Sequence, residues 1–93
     1  MTPQPAEMLA QFVGQDIVLD VVSSYVYVGT LIEYDIHYLI MTNADVHDLR
    51  DTNTTRELYV LEARRHGVSV NRLRVLVRLD QVVSISALAD VRE

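Results

Sequence analysis

The most informative stretch of this sequence reads Gly29-Thr30-Leu31-Ile32-Glu33-Tyr34-Asp35-Ile36-His37. Its β-branched and aromatic residues are typical of a strand, and a glycine inside a strand allows a sharp bend or the close approach of a neighbouring backbone. Asp35 favours a turn, because its carboxylate can accept hydrogen bonds from the backbone N–H groups that follow it. We therefore predict a long strand over 25–35 that ends in a turn, with a sharp bend or a close neighbour at Gly29.

Around this strand the sequence predicts a mainly β chain. Fifteen valines among 93 residues favour pleated structure. Further strands are predicted over 17–22, 37–44, 70–78 and 82–86. A short helix is predicted to begin at Pro3 and Pro5 and to end before Gly14. Five short antiparallel strands behind one helix predict a small, strongly bent barrel.

Residues 45–69 interrupt this series of strands as an insertion. The polar run 45–53 predicts a loop, whereas Thr54 and Glu57 have the spacing of a helix capping box and Gly67 has the place of a helix end. The apolar residues 58–61 are consecutive, so their pattern fits a helix over 55–66 or an extended β-arm. We expect the insertion to be dispensable for folding of the barrel and to contact protein partners.

Charge is distributed unevenly along the chain. Residues 1–49 contain no basic residue and carry −7, residues 50–78 carry +4 and residues 79–93 carry −2, for a net charge of −5. All eight basic residues are arginine. An acidic protein is a poor non-specific ligand for nucleic acid, but a local arginine surface can still bind it.

Several classes of protein are excluded by what the sequence lacks. There is no cysteine, no apolar run long enough to span a membrane, and no charge or apolar core of a signal peptide at residues 1–5, so we expect a cytoplasmic protein. No nucleophile motif, metalloprotease motif or phosphate-binding loop appears, so we expect no enzymatic activity and no cofactor. The run around His47, with Asp45, Asp48 and Asp51, lacks a specific ligand spacing, so we expect no metal site.

Two motifs in this sequence resemble those of Sm and Sm-like (LSm) proteins. Residues 29–37 resemble the first motif, G-x-L-x-x-(F/Y)-D-x-(H/F). The second motif, (I/V)-R-G-(D/S/N)-x-(I/V)-x-x-(I/V), is similar to Val77-Arg78-Leu79-Asp80-Gln81-Val82-Val83-Ser84-Ile85. The resemblance implies a single Sm-like domain over 1–93, with an N-terminal helix and a five-stranded bent antiparallel barrel. It also implies a homo-oligomeric ring of about five to seven subunits, in which the free edges of the fourth and fifth strands pair head to tail.

The resemblance further implies a site for single-stranded RNA at the ring lumen, in RNA processing or chaperoning. His37 and Tyr38 would stack on bases, Arg78 would hold a base or phosphate from the opposite side, and Asp35 would support the loop. Three positions depart from the family pattern. Ser24 stands where the family usually has a glycine, at the first hairpin turn. The asparagine with which RNA-binding members contact a base edge is missing after Tyr38, and Leu79 replaces a glycine.

Four arginines outside these positions are candidate secondary contacts with RNA. Arg72 and Arg74 share a strand face with Arg78, whereas Arg64 and Arg65 lie in the insertion, where cations also suit the end of a helix. The alternative function is an Sm-fold scaffold that assembles proteins through its ring or its insertion and binds no nucleic acid.

Overall fold

The computed structural model describes residues 5–92, with side chains from Glu7 onward. Its helices and strands are α1 (Pro5–Ala10), β1 (Asp16–Val21), β2 (Tyr25–Tyr34), β3 (Tyr38–Asp48), α2 (Arg56–His66), β4 (Arg72–Arg78) and β5 (Val82–Ala87). Helix α1 begins at one of the two prolines that predicted it; Pro3 lies outside the described residues. No helix in this part of the chain has the length and apolar character needed to cross a membrane.

The five strands form one antiparallel sheet in the order β4-β3-β2-β1-β5. Strands β4 and β5 are therefore the two edges, as an open barrel requires. Strands β1 to β4 are neighbours in the sheet in the order of the sequence, and β5 pairs with β1. The predicted mainly β fold, a helix followed by a five-stranded bent sheet, is confirmed.

The pairing of β2 with β3 is irregular at Gly29. Two residues of β3, Asn43 and Ala44, lie opposite this single residue of β2, which makes a β-bulge, and Asn43 has a positive φ of 49°. A Cβ atom at Gly29 would lie 2.8 Å from the Cα of Ala44 and 3.1 Å from the carbonyl oxygen of Thr42. The backbone of β3 therefore occupies the space that any side chain at Gly29 would need.

A hydrophobic core fills the concave side of the sheet. It consists of eight buried residues: Ile17, Leu19, Val21, Leu31, Leu39, Met41, Ala44 and Val77. Leu9 of α1 and Phe12 just after it pack against this core. The N-terminal helix thus covers the core with its apolar side.

A second core lies on the opposite face of β1 and β2. Val18, Val26 and Val28 are buried there against Val60 and Ala63 of α2, together with Leu88 after β5. Three consecutive residues of β1, 17–19, are consequently buried, because both faces of the strand are covered.

The insertion differs from the prediction at its start. Strand β3 continues to Asp48, so the loop predicted over 45–53 is wrong for its first four residues. The first half of β2 needs a partner for its backbone groups, and Asp48 pairs with Tyr25 to provide it. The fourth strand likewise begins at Arg72 rather than at residue 70.

The middle of the insertion is a helix and not a β-arm. Its N-cap is Thr55, whose hydroxyl accepts a hydrogen bond from the N–H of Leu58 at 3.2 Å, so the prediction of Thr54 was one residue early. Helix α2 ends at His66, and its C-cap is Gly67, which has φ 91° and lies at the predicted position.

Polar contacts also anchor α2 to the sheet. Arg56 pairs with Asp20 at 3.1 Å and donates to the carbonyl oxygens of Ser23 and Tyr25. Together with the second core, these contacts join the insertion to the sheet, so we now expect its removal to destabilise the fold. Helix α2 shields one face of two central strands from water.

Candidate functional site

The turn between β2 and β3 is organised by Asp35. Its Oδ1 accepts hydrogen bonds from the N–H groups of His37 and Tyr38, both at 2.7 Å. These two bonds, that from His37 first, hold the pKa of the Asp35 carboxyl below its usual range. Asp35 is therefore ionised at neutral pH, and its carboxylate fixes the backbone of the turn.

The ladder between β3 and β4 brings the three predicted binding residues together. Tyr38 and Arg78 lie opposite each other in the ladder, and the N–H of Leu79 donates to the carbonyl oxygen of His37 at 2.8 Å. A cleft of about 200 Å³ results, lined by Ile36, His37, Tyr38, Arg78 and Asp80. The two sequence motifs thus contribute to one concave surface.

Arg78 is already paired within this cleft. Its Nη2 atom lies 2.8 Å from Oδ2 of Asp80, and both side chains are largely exposed. The charge of Arg78 is therefore balanced by a carboxylate of the same cleft. This pairing reduces the attraction of Arg78 for a phosphate, and the cleft also presents the flat rings of Tyr38 and His37.

Sequence reasoning did not include Ile36 in the site. Its side chain is 83% exposed at the tip of the turn and lines the cleft. The sequence does carry a signal for Ile36, since it places a large apolar residue between an aspartate and a histidine in a predicted turn. A side chain at the tip of a turn cannot be buried in the core, so it stays exposed. Ile36 gives the cleft an apolar rim beside its two rings.

The other candidate arginines lie outside this cleft. Arg74 and Arg72 are exposed on β4 at four and six residues from Arg78, which corresponds to roughly 13 and 20 Å along a strand. Arg64 and Arg65 are in the last turn of α2 and line a different cavity. The structure therefore does not bring these four residues to the site.

His47 and Asp45, considered above as ligands for a metal, instead help to hold α2. The ring of His47 stacks on that of Tyr59 with centroids 4.2 Å apart, and the hydroxyl of Tyr59 donates to the buried Asp45 carboxylate. Burial and this hydrogen bond raise the pKa of Tyr59 above its usual range. Asn71 donates to the other oxygen of Asp45 at 3.3 Å.

Comparison with known proteins places this architecture. No protein-family model matches the sequence, and no curated protein matches it either. Among solved structures, the chain is similar to the Sm protein of Pyrococcus abyssii in complex with a uridine heptamer, at 20% identity and a TM-score of 0.62, over 91% of this chain and 99% of that one. The SmAP1 heptamer of P. aerophilum is similar at 17% identity and a TM-score of 0.59, over 94% and 96%. The chain has the Sm fold.

A third similar structure shows the same fold in another setting. A chain of the NatC complex bound to CoA aligns at 16% identity and a TM-score of 0.56, over 94% of this chain and 88% of that one. The resemblance seen in the two sequence motifs is confirmed at the level of the Sm fold. Here helix α2 occupies the connection between β3 and β4.

Proposed function

We propose that this Sm-fold chain forms a ring that binds single-stranded RNA at the cleft of His37, Tyr38 and Arg78. The observation that carries the proposal is the convergence of these three side chains, from two separate motifs, on one concave surface. The likeness to an Sm protein solved with a uridine heptamer supports it. The proposed role is binding and not catalysis.

Stacking supplies the attraction in this proposal. A base held by the faces of His37 and Tyr38, with the planar guanidinium of Arg78 beside them, gains about 1–3 kcal/mol. Every base has a flat face that can stack, so stacking does not distinguish one base from another. Leu79 stands where the family has glycine, so discrimination between bases is weak. Asp80 competes with RNA for Arg78 and lowers the affinity further.

Arg78→Ala is expected to weaken RNA binding by about 1–3 kcal/mol, because it removes the guanidinium of the cleft. Asp80→Asn is the matched variant, and it is expected to tighten binding because it frees Arg78 from its carboxylate. Fluorescence anisotropy with labelled oligouridine and oligoadenosine at low salt measures both changes. Light scattering should show that the mass of the assembly is unchanged in each variant.

Two results would contradict this site. One is the absence of binding to either oligonucleotide at low salt, where electrostatic attraction is least screened. The other is binding that persists in Arg78→Ala but disappears in Arg64→Ala/Arg65→Ala, which would move the RNA from the cleft to α2.

The ring in this proposal closes through the two open strands. Leu73 of β4 is 79% exposed and Val83 of β5 is 67% exposed. Large apolar side chains beside unpaired backbone groups favour pairing with another chain. Head-to-tail pairing of β4 with β5 of a neighbour covers both edges and repeats around a ring, and the P. aerophilum relative is a heptamer.

Leu73→Asp is expected to reduce the assembly to smaller species, because it places a carboxylate in the proposed β4–β5 contact. Multi-angle light scattering should give several times the subunit mass of 10.6 kDa for the unaltered protein. Leu58→Asp, on the exposed side of α2, is the control and should leave that mass unchanged. A species of 10.6 kDa at micromolar concentration in the unaltered protein would exclude the ring.

A scaffold without RNA is the second candidate function. The pairing of Arg78 with Asp80 favours it, because Arg78 is then not free to bind phosphate. The likeness to a chain of the NatC complex supports it, since an Sm fold there belongs to a multi-protein assembly. Absence of RNA binding together with an intact ring would favour this candidate.

A further inference from the structure

A cavity lies beside the C-terminal half of α2, between that helix and the segment that follows β5. It has a volume of about 610 Å³ and is lined by Leu61, Arg64, Arg65, Ala89, Val91 and Arg92. We call it the arginine groove. A second cavity of about 460 Å³ shares Arg64 and Ala89 with it and extends it towards the start of β1.

The charge of the arginine groove is unlike that of the rest of the protein. The described residues that line it include three arginines and no acidic residue, although Asp16 lines the adjoining second cavity and the chain as a whole carries −5. Arg65 pairs with Glu62 at 3.4 Å, whereas the ion pairs found among residues 7–92 engage neither Arg64 nor Arg92. Both of these side chains are exposed.

The position of Arg64 and Arg65 alone has a simple explanation. They lie in the last turn of α2, where cations are favoured by the carbonyl ends of the helix. Arg92 is not part of a helix end, so this reason does not apply to it. It lines the same cavity from a separate segment, which follows the turn Leu88–Asp90. Convergence of guanidinium groups from two segments points to an anionic ligand.

The floor of the groove indicates which kind of anion fits. Leu61, Ala89 and Val91 contribute aliphatic surface, and the described residues that line the groove include no aromatic side chain. Single-stranded RNA is normally held by stacking of its bases on aromatic rings, for which this groove has no partner. The arginines form the rim of the groove and the aliphatic side chains form its floor. A peptide that alternates carboxylates with aliphatic side chains matches both.

We propose that the arginine groove docks an acidic segment of a partner protein that also carries aliphatic residues. The carboxylates accept charge-assisted hydrogen bonds from Arg64 and Arg92, and the aliphatic side chains pack on Leu61 and Val91. This site shares no lining residue with the cleft of His37, Tyr38 and Arg78. It is therefore independent of the RNA proposal.

The test uses the full chain and a short labelled peptide of glutamate, aspartate and leucine, with binding followed by fluorescence anisotropy. The groove variant is Arg64→Gln/Arg92→Gln, and it is expected to bind at least about tenfold more weakly, since charge-assisted hydrogen bonds are lost. The control is Gln11→Glu/Asn53→Asp, which changes the net charge equally at exposed positions elsewhere. It is expected to bind the peptide as the unaltered protein does.

Two further probes separate the contributions of rim and floor. A peptide with serine in place of leucine should bind more weakly, and labelled oligouridine should bind the groove variant as well as it binds the control. Absence of binding to the acidic peptide at low salt, or an equal loss in the groove variant and the control, would overturn the proposal. Selective loss of oligouridine in the groove variant would assign the groove to nucleic acid instead.

Discussion

Val60→Asp is expected to lower the free energy of unfolding by about 3–5 kcal/mol, the largest effect of any single substitution considered for α2. Val60 is 7% exposed and belongs to the buried cluster with Val18, Val26 and Val28. A carboxylate at this position has no cation or hydrogen-bond donor in that cluster to offset its loss of water. Urea denaturation followed by circular dichroism, at one fixed protein concentration because an oligomer's stability depends on it, measures the change.

Leu58→Asp is the matched control in the same helix. Leu58 is 46% exposed and lies in the first turn of α2. An acidic residue is favourable there, because the N-terminus of a helix carries a partial positive charge. The free energy of unfolding of the Leu58→Asp variant should stay within about 0.5 kcal/mol of that of the unaltered protein. Equal stability of Val60→Asp and the unaltered protein would show that the barrel folds without α2, as the sequence had suggested.

Gly29→Ala is expected to destabilise the protein by about 3 kcal/mol, at the upper end of the range for overpacking. The new Cβ atom would lie 2.8 Å from the Cα of Ala44, which cannot move without disrupting the bulge that bends the sheet. The sign of the effect is diagnostic. Without a steric conflict, replacing a glycine in a strand by alanine stabilises a protein by about 0.5–1 kcal/mol. A Gly29→Ala protein that is more stable than the unaltered one would therefore show that the close approach is absent.

Ala44→Gly in the Gly29→Ala background tests which atom causes the conflict. It removes the methyl group that lies 2.9 Å from the new Cβ atom but leaves the backbone of β3, whose nearest atom is 2.8 Å away, in place. Only partial recovery of the free energy of unfolding is therefore expected. Full recovery in urea denaturation would assign the conflict to the methyl group of Ala44 and not to its backbone.

The fold and the central residues of the site were accessible from short stretches of sequence. Residues 29–37 predicted a strand, a bend or close neighbour at Gly29 and a turn at Asp35; the strand, the close approach of β3 to Gly29 and the turn are present. These features depend on contacts between residues that are close in the chain or on the absence of a side chain. The placement of Arg78 beside Tyr38 followed from recognising two motifs of one fold, since spacing alone does not pair strands β3 and β4.

The extent of β3 and the role of α2 were not accessible in this way. Residues 45–48 are polar, and they form a strand because the first half of β2 needs partners for its backbone groups. Four consecutive apolar residues at 58–61 have no periodicity that selects a face, so which of them is buried depends on the sheet beneath. Local patterns thus determine where strands bend and turn, whereas the second core and the arginine groove arise only when distant segments pack together. Burial and convergent charge are properties of that packing, because they depend on neighbours that lie far away along the chain.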